Sequence, residues 1–206
     1  MNPHFQLPTS VTSFHAYFEL KAETEDILAA LGYTFEAALL ELPQVSQTPD
    51  WVAVLQEQTL RGLSLVTLSS ETARREILIG PVLLQVALQL HAKLRIEYAI
   101  EAADNLRGSL DYLLQAQERL LVIEAKQADL MRGFNQLAAE LIALDHWSDS
   151  SEGVLYGAVS IGESWRFARL DRSRKHVVQD LRLFAFPDEF ESLARTLVGI
   201  LSGVGR

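Results

Sequence analysis

Two apolar runs separated by a short polar turn, Leu110 to Leu114 and Leu120 to Lys126, constrain the fold of this chain more than any other feature. Both are too short for an ordinary helix and rich in Leu, Val, Ile and Tyr, so they predict two strands of a hairpin turning between Gln117 and Glu118. Paired antiparallel about that turn, Asp111 opposes Glu124, Tyr112 opposes Ile123 and Leu113 opposes Val122. Alternation then sorts the hairpin into two faces. One carries Asp111, Leu113, Val122, Glu124 and Lys126; the other carries Leu110, Tyr112, Leu114, Leu121, Ile123 and Ala125 and is almost wholly apolar. A slip of one residue would exchange the faces, so the pattern fixes the register.

Two carboxylates side by side on a buried hairpin repel one another, and buried charge must be paired or metal-bound. A hard divalent cation, Mg²⁺ or Mn²⁺, meets that need: it accepts one or two carboxylates, keeps waters and binds substrate phosphate. Beside it Lys126 is placed to orient or deprotonate a water and to offset charge developing on a phosphate. The acid-x-lysine triplet alone has little weight, because Glu19-Leu20-Lys21 is a second copy. Only Glu124-Ala125-Lys126 follows an apolar run, has an aspartate on the neighbouring strand and leads into an amphipathic helix.

Along the chain, residues 1–13 have no period and predict an irregular arm. One short amphipathic helix is expected from Tyr17 to Leu31, closed by Gly32. The segment 33–42 fits strand or helix. Asp50 is placed to cap a helix from Trp51 to about Thr59, with Gly62 closing it. Ser69 or Ser70 caps a helix running to about His91, kinked or divided at Pro81. Then come a strand over 94–101, a turn at Asp104-Asn105, the hairpin, and a helix over 129–145 with an apolar stripe of Leu130, Phe134, Leu137, Leu141 and Leu144. Strands at 154–161 and 165–170, joined by Gly162-Glu163, a strand at 176–183 and a helix at 187–201 complete the order. Helices alternating with strands make the fold mixed α/β.

The 206 residues and absence of cysteine set further bounds. The length suits one domain with an N-terminal extension over 1–65 that packs on the core. No apolar run approaches the roughly 20 residues of a membrane span, and no signal peptide is visible, so a cytoplasmic protein is expected. Without thiolates, and with five scattered histidines, zinc is disfavoured. The net charge of −9 is unevenly spread. Residues 1–60 hold eight acids against Lys21 alone, while Arg166, Arg169, Arg172, Arg174 and Lys175 cluster near the end with His176 beside them. The basic cluster suits phosphate and the acidic third suits a protein partner.

Gly108-Ser-Leu-Asp111, Val122-Ile-Glu124-Ala-Lys126 and the following Gln136 resemble the acid, acid-x-lysine and helix-glutamine elements of the PD-(D/E)XK, or restriction-endonuclease-like, superfamily. Ser70-Glu71-Thr-Ala-Arg74-Arg75-Glu76 is similar to the helix preceding the core strands in nuclease domains related to type I restriction subunits. The resemblance covers about residues 69–170 and implies an αβββαβ core with a mixed central sheet flanked by helices, within a nuclease domain over 66–206. It implies Mg²⁺-dependent hydrolysis of DNA, with Mn²⁺ an alternative. Asp111, Glu124 and Ala125 would be the metal-binding positions, Lys126 the catalytic lysine and Gln136 a group near the phosphate backbone. Glu71 would be the first-helix acid, with Glu76 its competitor. Leu110 stands where the family usually has proline. Double-strand cutting would call for a homodimer. A non-catalytic interaction or scaffold domain on the same fold is the competing reading, and a small-molecule domain ranks last because no phosphate-binding glycine loop is present.

Overall fold

The structure, a computed structural model, describes residues 4–204. Its frame is a mixed sheet of eight strands: β1 (Thr34–Ala38), β2 (Lys93–Ala103), β3 (Leu106–Ala116), β4 (Arg119–Ala125), β5 (Val154–Ser160), β6 (Ser164–Asp171), β7 (His176–Asp180) and β8 (Phe184–Ala185). They lie in the order β1-β7-β6-β5-β4-β3-β2, with β8 also against β6. The β1–β7 and β4–β5 pairs are parallel and the rest antiparallel. A parallel β4–β5 pair needs a crossover, supplied by the long helix α6 (Leu130–Trp147).

Helices cover both faces. On one side lie α1 (Phe14–Glu19), α2 (Thr24–Ala30) and α6; on the other α3 (Trp51–Leu63), α5 (Gly80–Leu90) and α7 (Phe190–Ser202), while the short α4 (Glu71–Arg74) buries no residue. The core is therefore two apolar layers divided by the sheet. Phe134, Leu137, Leu141 and Leu144 of the expected stripe are fully buried against Leu113, Val122 and Val159, whereas Leu130 is only partly covered. On the far side Tyr112, Leu114, Leu121 and Ile123 meet Leu83, Val86 and Leu197. No helix among the described residues is long and apolar enough to cross a membrane.

The N-terminal region contributes to this same sheet. β1 adds an edge strand beside β7, and Phe14 and Tyr17 of α1 are buried on α6 and β3. Gly108 permits this approach, since a Cβ there would come within 2.9 Å of the Phe14 ring. The single helix expected over 17–31 is two helices broken at residues 20–23, where Leu20 takes extended backbone and Thr24 is anchored to Asn135 at 2.6 Å. Gly32 closes the second, at a φ of 81°. Asp50 makes no capping bond, because its own backbone is already helical. Ser70 does cap, accepting from the Ala73 N–H at 3.1 Å.

Between α4 and α5 the backbone widens into a π-helical turn over Arg75–Ile79, immediately before Pro81. Proline has no N–H and its ring crowds the carbonyl four residues back, so the expected disturbance takes the form of a wider turn. The strand expected over 176–183 ends at Asp180, and Phe184–Ala185 form the separate β8 against β6.

Candidate active site

The hairpin has the expected register from Ala116–Arg119 to Tyr112–Ile123 and opens one step before Asp111 and Glu124. The two acids do not close the ladder. Instead the Asp111 carboxylate enters the gap, its Oδ2 accepting the Ala125 N–H at 2.8 Å. Across β2, Asp111 and its neighbour Glu97 also drop out of the ladder, and Glu97 has left-handed backbone with a φ of 52°. Face alternation breaks at the same point. Leu110, expected beside Tyr112, lies instead with Leu113 in the α6 layer. Asp111 thus projects along the sheet, reaching Arg75 from the α5 side with Oδ1 3.5 Å from the guanidinium.

Beyond the opening, Glu124 and Lys126 point into the α6 layer. They form an ion pair in which Glu124 is 1% exposed and Lys126 8%. Lys126 is fixed by the bond from its N–H to the Ser160 carbonyl at 2.8 Å, and its ammonium lies 5.2 Å from the Phe18 ring centroid. Gln136 and Glu140, one helical turn apart on α6, complete the cluster: the Gln136 amide donates to Glu140 Oε1 at 2.9 Å. Glu140 has no exposed surface.

This is a crowded set of charges in an apolar setting. Burial, then the neighbouring charges of Glu140 and Asp111, push the Glu124 carboxyl well above its ordinary value. Burial likewise raises Glu140 to about 7. For Lys126 burial works downward, but Glu124, Asp111 and Glu71 outweigh it and hold the ammonium above its usual range. The layer tolerates one carboxylate opposite Lys126 and not two, so in the metal-free protein the Glu124–Glu140 pair keeps a proton, and that proton joins them.

Glu71, at the start of α4, is among the charges acting on Lys126, whereas Glu76 is exposed and bears on Tyr112. Tyr112 lies beneath Arg75, whose guanidinium is 5.1 Å from its ring centroid. The basic cluster near the end is divided. Arg172 is engaged with Asp145 and with carbonyls of residues 145–152, and Arg166 and Arg169, three apart on β6, fall on opposite faces. Glu140, Arg75 and Tyr112 were not singled out by the sequence reading. Glu140 had a signal: it is an acid inside the apolar run from Leu137 to Leu144, one turn from Gln136.

Glu124 fits a hard divalent cation. Both its oxygens are buried, one of them against the Lys126 ammonium, and Glu140 Oε2 and Gln136 Oε1 are buried as well. Asp111 fits less well, since the Ala125 N–H and Arg75 occupy its oxygens. Ala125 contributes a fully buried side chain and the N–H that Asp111 takes. Among the described residues no three His, Cys, Asp or Glu side chains form a ready-made metal cage, so water would supply the remaining positions. Comparison with models of known families, with curated proteins and with solved structures finds no match to this chain.

Proposed function

We propose that this chain is a metal-dependent hydrolase of DNA phosphodiester bonds acting at Asp111, Glu124 and Lys126, built on a restriction-endonuclease-like core. The run α5-β2-β3-β4-α6-β5 has the αβββαβ order that this reading requires, with β4 parallel to β5. The observation that carries the reading is Glu124: a carboxylate 1% exposed, ion-paired with the buried ammonium of Lys126 and crowded by the equally buried Glu140. Such an arrangement costs several kcal/mol against an apolar replacement and is explained when a cation and a phosphate are its partners.

Glu124 would hold Mg²⁺ or Mn²⁺, with Asp111 and Ala125 at its border. When bound, the cation supplies Lewis acidity at the phosphate and offsets negative charge. Because its neighbours hold Lys126 in the ammonium form, its role is to donate hydrogen bonds to charge developing on the phosphate, and not to remove a proton. Gln136 keeps Glu140 oriented toward this group. Asp111 holds the hairpin open by taking the Ala125 N–H, so the end of β4 stays available. The substrate is DNA in the cytoplasm, cut on both strands when two copies act together.

Metal-dependent nicking of supercoiled plasmid tests the proposal. Cleavage should need Mg²⁺ or Mn²⁺ and disappear in Glu124→Ala and Lys126→Ala variants that keep wild-type circular dichroism. Undiminished cleavage in both refutes the site. A second reading, a non-catalytic interaction domain on the same fold, is favoured by the closure of the Glu124–Lys126 pair and the tethering of Asp111. It predicts no cleavage of any DNA form, and a protein partner for the acidic surface of residues 1–60.

A further inference from the structure

The triplet Glu19-Leu20-Lys21, which the buried cluster leaves unused, borders a cleft of its own. α1 ends at Glu19 and α2 begins at Thr24, and the linker between them lies against the first turns of α6, where the Thr24 hydroxyl donates to Asn135 Oδ1 at 2.6 Å. Between linker and helix is a cleft of about 460 Å³. Asn135 lines it and is 5% exposed. Its carbonyl oxygen is taken by Thr24, while its amide nitrogen keeps solvent contact and donates to nothing among the described residues. Lys21 and Arg132 line the same cleft. Lys21 is the one lysine or arginine of residues 1–60, is exposed, and has no hydrogen-bond or ionic partner among the described residues. Arg132 meets Asp129 at 3.4 Å through Nε, and its side chain donates no hydrogen bond. Three donor groups thus converge without an acceptor. Glu23 and Asp26 stand on the opposite wall at the start of α2, where the helix N-terminus offsets their charge.

We infer that this cleft holds a second phosphate of the DNA strand: the Asn135 amide, Lys21 and Arg132 bind a backbone phosphodiester flanking the one at Lys126, with deoxyribose against Phe5 and Leu20. The inference rests on the DNA-hydrolase reading and extends it. Amide, ammonium and guanidinium groups are the ordinary partners of backbone phosphates, and such contacts fix the position of a strand without reading its bases. Placement agrees. Phe18, two residues before Leu20, has its ring centroid 5.2 Å from the Lys126 ammonium, and Asn135 directly precedes Gln136 on α6. A strand whose phosphate meets Lys126 therefore continues into the cleft.

The test uses the metal-free full chain and a fluorescein-labelled DNA duplex, with binding followed by anisotropy over a range of salt. Lys21→Gln and Arg132→Gln should each weaken binding and each flatten the dependence of log affinity on log salt by about one unit. Asn135→Asp keeps an acceptor for Thr24 but removes the donor, and should weaken binding about tenfold or more. Lys21→Gln, at an exposed side chain bonded to nothing, decides the matter where Asn135→Asp does not fold. Lys93→Gln, an exposed cation on β2, should leave the slope unchanged. An unchanged slope in Lys21→Gln, or an equal loss in Lys93→Gln, overturns the inference while plasmid nicking keeps the hydrolase reading standing. Wild type that binds no duplex also overturns it, and if plasmid is left intact as well the hydrolase reading falls with it.

Discussion

Gly133 is where packing and site meet, and Gly133→Ala is the sharpest test of how α6 holds the cluster. Gly133 lies in the first turns of α6, bonded from its N–H to the Asp129 carbonyl at 3.0 Å. A Cβ there would come within 2.7 Å of Val159 Cγ2 and 3.0 Å of Lys126 Cγ. Val159 is fully buried and branched at Cβ, so it cannot swing aside. In an open helix alanine would gain about 1 kcal/mol over glycine. Overpacking of this kind costs about 1–3 kcal/mol, so the structure predicts a net loss of about 1 kcal/mol. Urea unfolding reads it as a lower midpoint at unchanged slope. Removing Val159 Cγ2 by Val159→Ala should relieve the clash, giving a coupling of about 1 kcal/mol between the substitutions in a double-mutant cycle. Because Lys126 is the other neighbour, Mn²⁺ affinity should fall in Gly133→Ala and recover in part in the double variant. A gain of about 1 kcal/mol in Gly133→Ala, or zero coupling to Val159, would show that α6 does not sit against β5 as described.

Metal-free stability should depend on pH through Glu140, whose carboxyl is raised from 4.5 to about 7 in the folded chain. Between those values the folded state binds the extra proton, so the stabilisation is complete below about pH 4.5 and is lost as pH rises through 7. The loss is on the order of 3 kcal/mol at most, and Glu140→Gln should flatten it in urea titrations between pH 5 and 8; an unchanged slope refutes the assignment. Arg172→Met should cost about 2–3 kcal/mol in the same assay, since Asp145 loses a 2.7 Å charged partner and the loop after α6 loses its anchor. A loss below about 0.5 kcal/mol would mean that solvent replaces these bonds. Ser70→Ala removes the cap of α4 and should cost about 1 kcal/mol, read from the same midpoint shift; no shift would mean that the α4 end is satisfied without it.

How much of this was legible in the sequence follows from how local each cause is. The hairpin register and the α6 stripe were readable because alternation and helical period are written in neighbouring residues. The side taken by Leu110 was not, since it depends on a left-handed residue, Glu97, on the adjoining strand. Nor was β1, whose parallel partner β7 lies some 140 residues away, as in the Thr34–His176 pair. The basic cluster misled for a related reason. Its five cations are close in sequence, but Arg172 is consumed by the turn after α6 and strand alternation parts Arg166 from Arg169. Asp111 was found by its spacing to Glu124, yet its engagement with Ala125 and Arg75 depends on where the ladder ends. Glu140 was passed over because an acid in a helix is ordinarily a surface residue. Only its setting among buried leucines marks it.

The position of the cluster bears on why a chain would keep it. Buried ionisable groups are commonly less stable than apolar residues of similar shape, so stability gives no reason to place Glu124, Lys126 and Glu140 in one layer. The carboxyl end of β4 gives one. There the chain leaves a strand flanked by antiparallel β3 and parallel β5 and enters α6, and in open α/β sheets ligands bind outside the carboxyl ends of strands. Asp111 withdraws the Ala125 N–H from the ladder there, and the π turn carries Arg75 to the far side of the same carboxylate. Two local irregularities on different elements, the broken ladder at Glu97–Asp111 and the widened helix before Pro81, thus converge on one side chain. Each costs backbone regularity, and what they share is the Asp111 carboxylate. A domain used only for its outer surface would gain by replacing this buried charged cluster with apolar residues.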